Sequence, residues 1–460
     1  MKHWSAQRVA GTAGGELVRE PYGGRAAGGP AKAAIDSRAI QPGDLFFGLP
    51  GENVDGGEYA AAALDAGAWG VVVEPHWVDD LFGTQGGAII ATPTPVPALG
   101  ALARGWRQDL AAFVIGVTGS VGKTSTKDLI AAMVAPHRSI AASRENYNTE
   151  IGLPLEILAA PWGTEVLVLE MAMRGFGQIR ELAAIAEPDV GVITNIGPVH
   201  LEQMGSLEGV AEAKAELLDE LKSGGTAVVP SDEPLLEPWL RDDLEVVTFG
   251  PAGDVHYEGA SIKSGVVPDA VPTQHVVIAQ GERVELELPF DSQHNLLNAL
   301  AALAAARAIG VHPSGKIDVR FSSMRGERVA VGLGVVVIND CYNANPLSMR
   351  AALDDLASHH AEGRRVAVLG DMLELGPAER EHHREIGAYA ASAGVELLVT
   401  VGPRAAAMLD SFDGESQAVL DAEEAAALLP ELVLPGDVVL VKASRGVGLE
   451  VVTEALQAAG

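Results

Sequence analysis

The stretch Gly116–Ile130, GVTGSVGKTSTKDLI, decides how the rest of the chain is read. The apolar run AAFVIGVT leads into it and a helical pattern leads out, so it joins a buried strand to a helix through a glycine-bearing loop. Gly119 and Gly122 let backbone N–H groups turn inward, Lys123 adds a mobile positive charge, and Thr124 opens a helix whose N-terminus favours anions. Thr118, Gly119, Ser120, Val121, Gly122, Lys123, Thr124 and Ser125 are therefore predicted to cradle the phosphates of a nucleotide, the alternative being a plain glycine turn. Val117 stands where the first glycine of G-x-x-x-x-G-K-[ST] would fall, which makes this a short variant of that loop. The Thr124 hydroxyl is placed to meet Mg²⁺.

Outward from the loop, strand and helix patterns alternate. AFVIGVT, EVLVLEMA, DVGVITNI and TAVVPSD read as buried strands, with LEGVAEAKAELLDELK as an amphipathic helix among them. Such alternation predicts an α/β unit with a mainly parallel sheet and helices on both faces. Near residue 325 a second series starts, GVVVIND, RRVAVLGDM, ELLVTVG and DVVLVKAS, which predicts a Rossmann-like doubly wound domain. Before the loop, DLFFGL, ALDAGA and WGVVVE read as strand, helix and strand of a small α/β module, and the proline-rich ATPTPVPALG is expected to interrupt regular structure. These readings divide the chain into three domains, 1–110, 111–324 and 325–460, about the number its 460 residues allow.

Composition narrows the function. With 62 acidic and 32 basic residues the formal charge is −30, which disfavours nucleic acid and anionic lipid as partners and leaves room for a local pocket for a small phosphate. No apolar run approaches the roughly 20 residues of a membrane span, and MKHWSAQRVAGTAGGEL lacks a signal-peptide core, so a cytoplasmic protein is expected. The single cysteine, Cys341, leaves no intramolecular disulfide and no thiolate cluster, so any catalytic metal must be held by oxygen or imidazole.

In open α/β sheets, ligands gather at the carboxyl ends of the strands. Glu170 ends such a strand and is either a solvated carboxylate or a hard-oxygen ligand for Mg²⁺. His200 follows another strand; a lone histidine there is ordinarily structural, but a strand-end carboxylate after the same phosphate loop turns the weighting towards a ligand. Lys214 lies between Glu212 and Glu216 on a helix, where a surface lysine is the plain reading. Asn295 heads an alanine-rich helix beside His294 and Asn298, and could cap that helix or read the edge of a purine. Arg325, then Asp340, Asn343 and Asn345, and later Asp371, Lys442, Ser444 and Arg445, follow third-domain strands and are expected to line one rim facing the nucleotide; turn chemistry would explain one asparagine before a proline.

Taken in order, TGSVGKTS, NYNTEIGLP, EMAMRGFGQI, TNIGPVHLEQMGS, AKAEL and HNLLNAL resemble the ATP-dependent Mur ligases of peptidoglycan synthesis. NDCYNANPLSM, GDMLELG and VKASRG point to the branch of that family that uses a D-alanyl-D-alanine acceptor, and IDSRAIQPGDLFFGLPGENVDGGEYA is similar to its uridine-nucleotide domain. The resemblance implies an amide ligase that joins the dipeptide to a UDP-N-acetylmuramoyl-tripeptide through an acyl phosphate, with ATP and Mg²⁺; a monomer that binds no nucleic acid and makes no stable membrane insertion is expected. It places Asp36, Ser37 and Arg38 near the uridine or its phosphates, and Asn148 and Thr149 with the substrate. Lys123 would lie on the ATP phosphates, Thr124 and Glu170 on one Mg²⁺, and His200 on a second; Lys214 would be carbamoylated into a further metal ligand. Asn295 would recognise adenine, Arg325 and Asp340 would reach the nucleotide, and Asn343 and Asn345, with Lys442, Ser444 and Arg445, would serve the acceptor side.

Overall fold

A computed structural model describes residues 1–23, 28–51, 53–144, 146–258 and 273–459. Its strands form three sheets in chain order. The first has the spatial order Glu16–Arg19, Ala88–Ala91, Gly70–Val73, Leu45–Phe47, Ala33–Ala34, parallel except for its first strand. Leu45, Phe46 and Phe47 are all buried, so this short strand has apolar contacts on both faces. The proline-rich segment does not interrupt structure as expected: the helix Pro95–Leu110 begins inside it. Proline at the first helical position is already set to a helical φ, and the N–H it lacks has no intrahelical partner there. The reading as a breaker gave Pro95 and Pro97 the meaning they have in a helix interior.

The second sheet runs Gly315–Lys316, Glu282–Leu288, Thr273–Ala279, Val255–Tyr257, Glu245–Phe249, Thr226–Pro230, Val190–Ile193, Phe113–Thr118, Val166–Glu170, Ile140–Ala142. From Ile140–Ala142 to Val255–Tyr257 the pairing is parallel. The strands Thr273–Ala279 and Glu282–Leu288 then add an antiparallel hairpin that alternation alone does not predict. Gln280 and Gly281 both have positive φ, as a tight two-residue hairpin turn requires. Helices cover both faces. On one, Lys123–Val134 packs against Gln293–Ala308, whose buried alanines from Ala299 to Ala306 allow close approach; on the other lie Pro95–Leu110, Gly152–Ala159, Gln178–Ala186 and Leu207–Asp219.

The third sheet has the order Glu327–Val331, Val335–Asn339, Val438–Lys442, Arg365–Gly370, Leu397–Val401, Glu415–Val419, with only the first pair antiparallel. Pro346–Ser358 and Glu379–Ser392 pack on one face, Ala422–Leu432 and Glu450–Ala459 on the other. The edge strand ESQAV is mostly exposed, so it carries no buried-strand signature to read. The α/β organisation with mainly parallel sheets is thus the one expected from the sequence. Among the described residues no helix is long and apolar enough to cross a membrane.

Candidate active site

The phosphate-loop glycines are held where only glycine fits. Gly119 has φ 149° and Gly122 φ 82°; a Cβ on the first would overlap Thr194 Oγ1, and one on the second would overlap Asn298 Oδ1. Neighbouring strand-end residues tie the loop down. Thr194 Oγ1 and Asn195 Nδ2 donate to Val121 O at 2.6 and 2.9 Å, and Asn195 Oδ1 accepts from Val121 N at 2.9 Å. Ser120 Oγ accepts from Gly197 N at 2.9 Å and donates to Gly197 O at 3.1 Å. Thr194 and Asn195 were missed as loop supports in the sequence reading. Their signal was a polar pair directly after the buried strand Val190–Ile193.

Around this loop, residues distant in sequence converge. Thr124 Oγ1 donates to Glu170 Oε2 at 2.7 Å, and Asn148 Nδ2 donates to Glu170 Oε1 at 2.9 Å. Burial alone would push the Glu170 carboxyl up, but Lys123, Arg325 and these two hydrogen bonds hold it below its ordinary value. The Lys123 ammonium, which donates to Gly119 O at 2.7 Å, is pulled down by burial and by Arg325, against the attraction of Glu170.

Lys214 departs from its plain reading as a surface lysine. It is 3% exposed, and burial, reinforced by Lys123, drives its pKa well below the usual lysine value. The flanking Glu216 does not neutralise it, because that carboxylate accepts from Gly177 N and Arg180 N at the start of Gln178–Ala186. Helical spacing places Lys214 on the buried face, which the flanking charges concealed.

His200 takes φ 52° and immediately precedes the short helix Leu201–Met204 without capping it through its side chain; its Nδ1 meets the Glu374 carboxylate of the third sheet's unit. Burial lowers its pKa and Glu374 opposes this. Glu374 is a third residue that the sequence reading passes over, although it lies within GDMLELG.

These groups face a cleft of about 1300 Å³ bounded on the other side by the C-terminal unit. Ser120 to Ser125, Asn148, Thr149, Glu170, His200 and Asn295 line one wall; Arg325, Asp340, Asn343, Asn345, Lys442, Ser444 and Arg445 line the other. The Arg325 guanidinium stacks 3.8 Å over Tyr342, and its buried Nε has no hydrogen-bond partner among the described residues. Asn295 is not the helix cap: Ser292 holds that position, and Asn295 Oδ1 instead accepts from Asn298 Nδ2 at 3.4 Å. His294 also lines the cleft; burial lowers its pKa, with Asp355 and Asp340 opposing.

Several rim residues have scaffold duties as well. Lys442 Nζ donates to Asp340 Oδ2 at 2.6 Å and to Asn343 O at 2.9 Å. Asn345 caps Pro346–Ser358, sharing reciprocal bonds with Ser348. Ser444 Oγ accepts from Leu373 N at 3.0 Å and donates to Ala344 O at 3.2 Å, while Arg445 pairs with Glu450 at 3.2 Å. Asp371 is not on the rim: its carboxylate accepts from Arg404 N and Ala405 N, so it anchors the turn after Leu397–Val401. Its place after a strand was the same signal as for Asp340, and only the neighbouring backbone distinguishes them. Asp36, Ser37 and Arg38 lie outside the cleft, in an exposed turn where Asp36 binds the Arg38 guanidinium at 2.9 Å. Thr118, Gly119 and Lys214 lie behind the cleft wall and do not line it.

The arrangement can hold a polyphosphate at the loop, set a cation beside Thr124 and Glu170, and bring a second reactant from the opposite wall. Family models match the chain along most of its length: "Mur ligase family, catalytic domain" at residues 33–91, "Mur ligase middle domain" at 117–306 and "Mur ligase, glutamate ligase domain" at 324–445. The chain is 35% identical over 432 residues to the UDP-N-acetylmuramoyl-tripeptide–D-alanyl-D-alanine ligase of Bacillus subtilis, covering 92% of each. It is 36% identical over 477 residues to the enzyme of that name from Mycobacterium tuberculosis, covering 92% of this chain and 91% of the relative. Among solved structures, MurF from Acinetobacter baumannii is 27% identical with a TM-score of 0.86 and 99% of both chains covered. MurF ligase from Thermotoga maritima in complex with ADP is 30% identical with a TM-score of 0.79, covering 93% of this chain and 97% of that one.

Proposed function

This chain belongs to the Mur ligase family, and we propose that it joins D-alanyl-D-alanine to UDP-N-acetylmuramoyl-tripeptide at the expense of ATP, a step of peptidoglycan precursor synthesis. The observation that carries this reading is the two-walled cleft: a phosphate loop faces a wall of polar groups belonging to another unit, as a reaction of a nucleotide with two further substrates requires. The names of the relatives support the same substrates, and the ADP in one related structure supports the nucleotide.

In this reading residues 1–110 bind the UDP end of the sugar peptide through Asp36, Ser37 and Arg38, residues 111–324 bind ATP, and residues 325–460 bind the acceptor. The γ-phosphoryl group passes to the terminal carboxylate of the tripeptide, which replaces an oxide leaving group by phosphate. The dipeptide amine then attacks, and the tetrahedral intermediate collapses to amide and phosphate. Lys123 and the loop N–H groups hold the phosphates, Asn295 meets the adenine, and Arg325, stacked on Tyr342, supplies charge from the far wall. Asn148 and Thr149 face the sugar peptide, and Asn343, Asn345, Lys442, Ser444 and Arg445 shape the acceptor side.

The Thr124 hydroxyl and the ionised Glu170 carboxylate, 2.7 Å apart, are the hard oxygen donors that suit Mg²⁺. His200 suits a second cation, and Lys214 would suit it only as a carbamate, because an ammonium would repel it. A buried, uncharged Lys214 amine is the form that adds CO₂. Bound there, Mg²⁺ would neutralise charge developing on the transferred phosphoryl group. The reading carries with it a cytoplasmic, monomeric enzyme.

The test is phosphate release from ATP and Mg²⁺ with the UDP-linked tripeptide, comparing D-alanyl-D-alanine, single amino acids and no acceptor. Release with a new amide only in the presence of the dipeptide is expected. Release with a single amino acid would reassign the chain to a sister reaction, and release without any acceptor would remove the ligase reading.

A further inference from the structure

Glu374 contributes a carboxylate to the central wall of the cleft from the C-terminal unit. It stands just beyond the strand Arg365–Gly370 and has φ 63°, while its partner His200 has φ 52°. Both are non-glycine residues in the left-handed region, a conformation that persists where the surroundings hold it. Together they bring a carboxylate onto imidazole Nδ1 across the boundary between the two units. Arg174 Nε of the central unit lies 4.0 Å from the other oxygen of Glu374.

The contact belongs to a docked face. Leu347 covers Gly197 so closely that a Cβ there would overlap its Cδ1, and a Cβ on Gly376 would lie 3.5 Å from Glu202 N, in ordinary contact. The segment that carries His200 is therefore touched by the C-terminal unit on both sides of the histidine.

An imidazole whose Nδ1 is held by a carboxylate has a set ring orientation and keeps Nε2 as its ligating atom. We propose that Glu374 is a positioning residue for His200, so that docking of the C-terminal domain orients a cation ligand of the central domain. This rests on the reading of His200 as a metal ligand given above. It ties the completed cation site to the closed cleft, where an acyl phosphate is shielded from water.

The experiment is Mn²⁺ titration of the full chain by electron paramagnetic resonance, with a non-hydrolysable ATP analogue and bicarbonate present. Wild type, E374A and E374Q are compared. Two ions are expected in the wild type. In E374A the tighter ion, at Thr124 and Glu170, keeps its affinity, and the weaker ion binds about tenfold less tightly. E374Q, whose amide oxygen still accepts from Nδ1–H, falls between the two. Equal binding of both ions by E374A and wild type would overturn the positioning role, as would parallel weakening of both ions, which marks general damage. A wild type that binds a single Mn²⁺ would instead remove the ligand reading of His200, and the proposal with it.

Discussion

Lys214 and Lys442 are almost equally buried, at 3% and 2% exposure, on opposite sides of the cleft. Lys442 donates to the Asp340 carboxylate and to two backbone oxygens, whereas Lys214 has no hydrogen-bond or ion-pair partner among the described residues. The difference extends to their surroundings. On the C-terminal side Asn345 and Ser348 bond each other reciprocally and Ser444 bonds the backbone of Leu373 and Ala344; on the central side the buried Thr118 hydroxyl has no partner among the described residues. Buried polar groups are normally paired, so a satisfied cluster holds a shape, and an unsatisfied one calls for a chemical reason. By that criterion Lys214 and, on the far wall, the unpartnered Arg325 Nε are the groups that call for a chemical role, while Lys442, Asn345 and Ser444 keep the C-terminal backbone in place.

The largest expected effect would break this contrast at its reactive end. Lys123→Ala should lower substrate-dependent phosphate release by about 10³-fold or more while leaving the circular dichroism spectrum unchanged. Wild-type turnover in that variant would remove the loop from the reaction. Next, Lys442→Met should destabilise the folded protein by about 2–3 kcal/mol in urea unfolding, because Asp340 would lose its buried partner while keeping some contact with solvent. Unchanged stability would mean that this pair is not a scaffold.

Asn345→Ala should cost about 1 kcal/mol through loss of the cap on Pro346–Ser358, measured in the same way. The smallest effect has the opposite sign. Lys214→Met, in CO₂-free buffer, should raise the thermal midpoint at neutral pH by roughly 2–4 °C. In the folded wild type the Lys214 pKa lies well below the unfolded value of 10.5, so between those values the unfolded chain binds a proton that the native chain does not. Wild-type stability therefore rises with pH through that window, and the advantage of the methionine variant should shrink towards pH 10.5 and vanish above it. An advantage independent of pH would show that the lysine charge is not its source.

Much of the central wall is legible before folding. The glycine spacing of the phosphate loop, the carboxylate ending the strand Val166–Glu170 and the histidine after Val190–Ile193 are local patterns, each tied to a strand end. The C-terminal rim was less so, because strand-end position alone treats Asp340 and Asp371 alike, and only one of them lines the cleft. The proline-rich start of Pro95–Leu110 was misread because proline has opposite meanings at the first turn and in the interior of a helix. The hairpin Thr273–Leu288 escaped notice because its exposed, charged strand Glu282–Leu288 alternates with a period of two and has no continuous apolar run.

What the sequence by itself determined is the alternation of strands and helices and the phosphate loop, since both follow from interactions between near neighbours: periodic burial, glycine conformation and the partial charges at a helix start. What only the tertiary structure decided is which polar groups are left without partners. The burial of Lys214, the pairing of Lys442 with Asp340 and the meeting of Glu374 with His200 join residues up to 174 positions apart. Desolvation and hydrogen bonding depend on everything packed around a group, and for these residues the neighbours come from other parts of the chain.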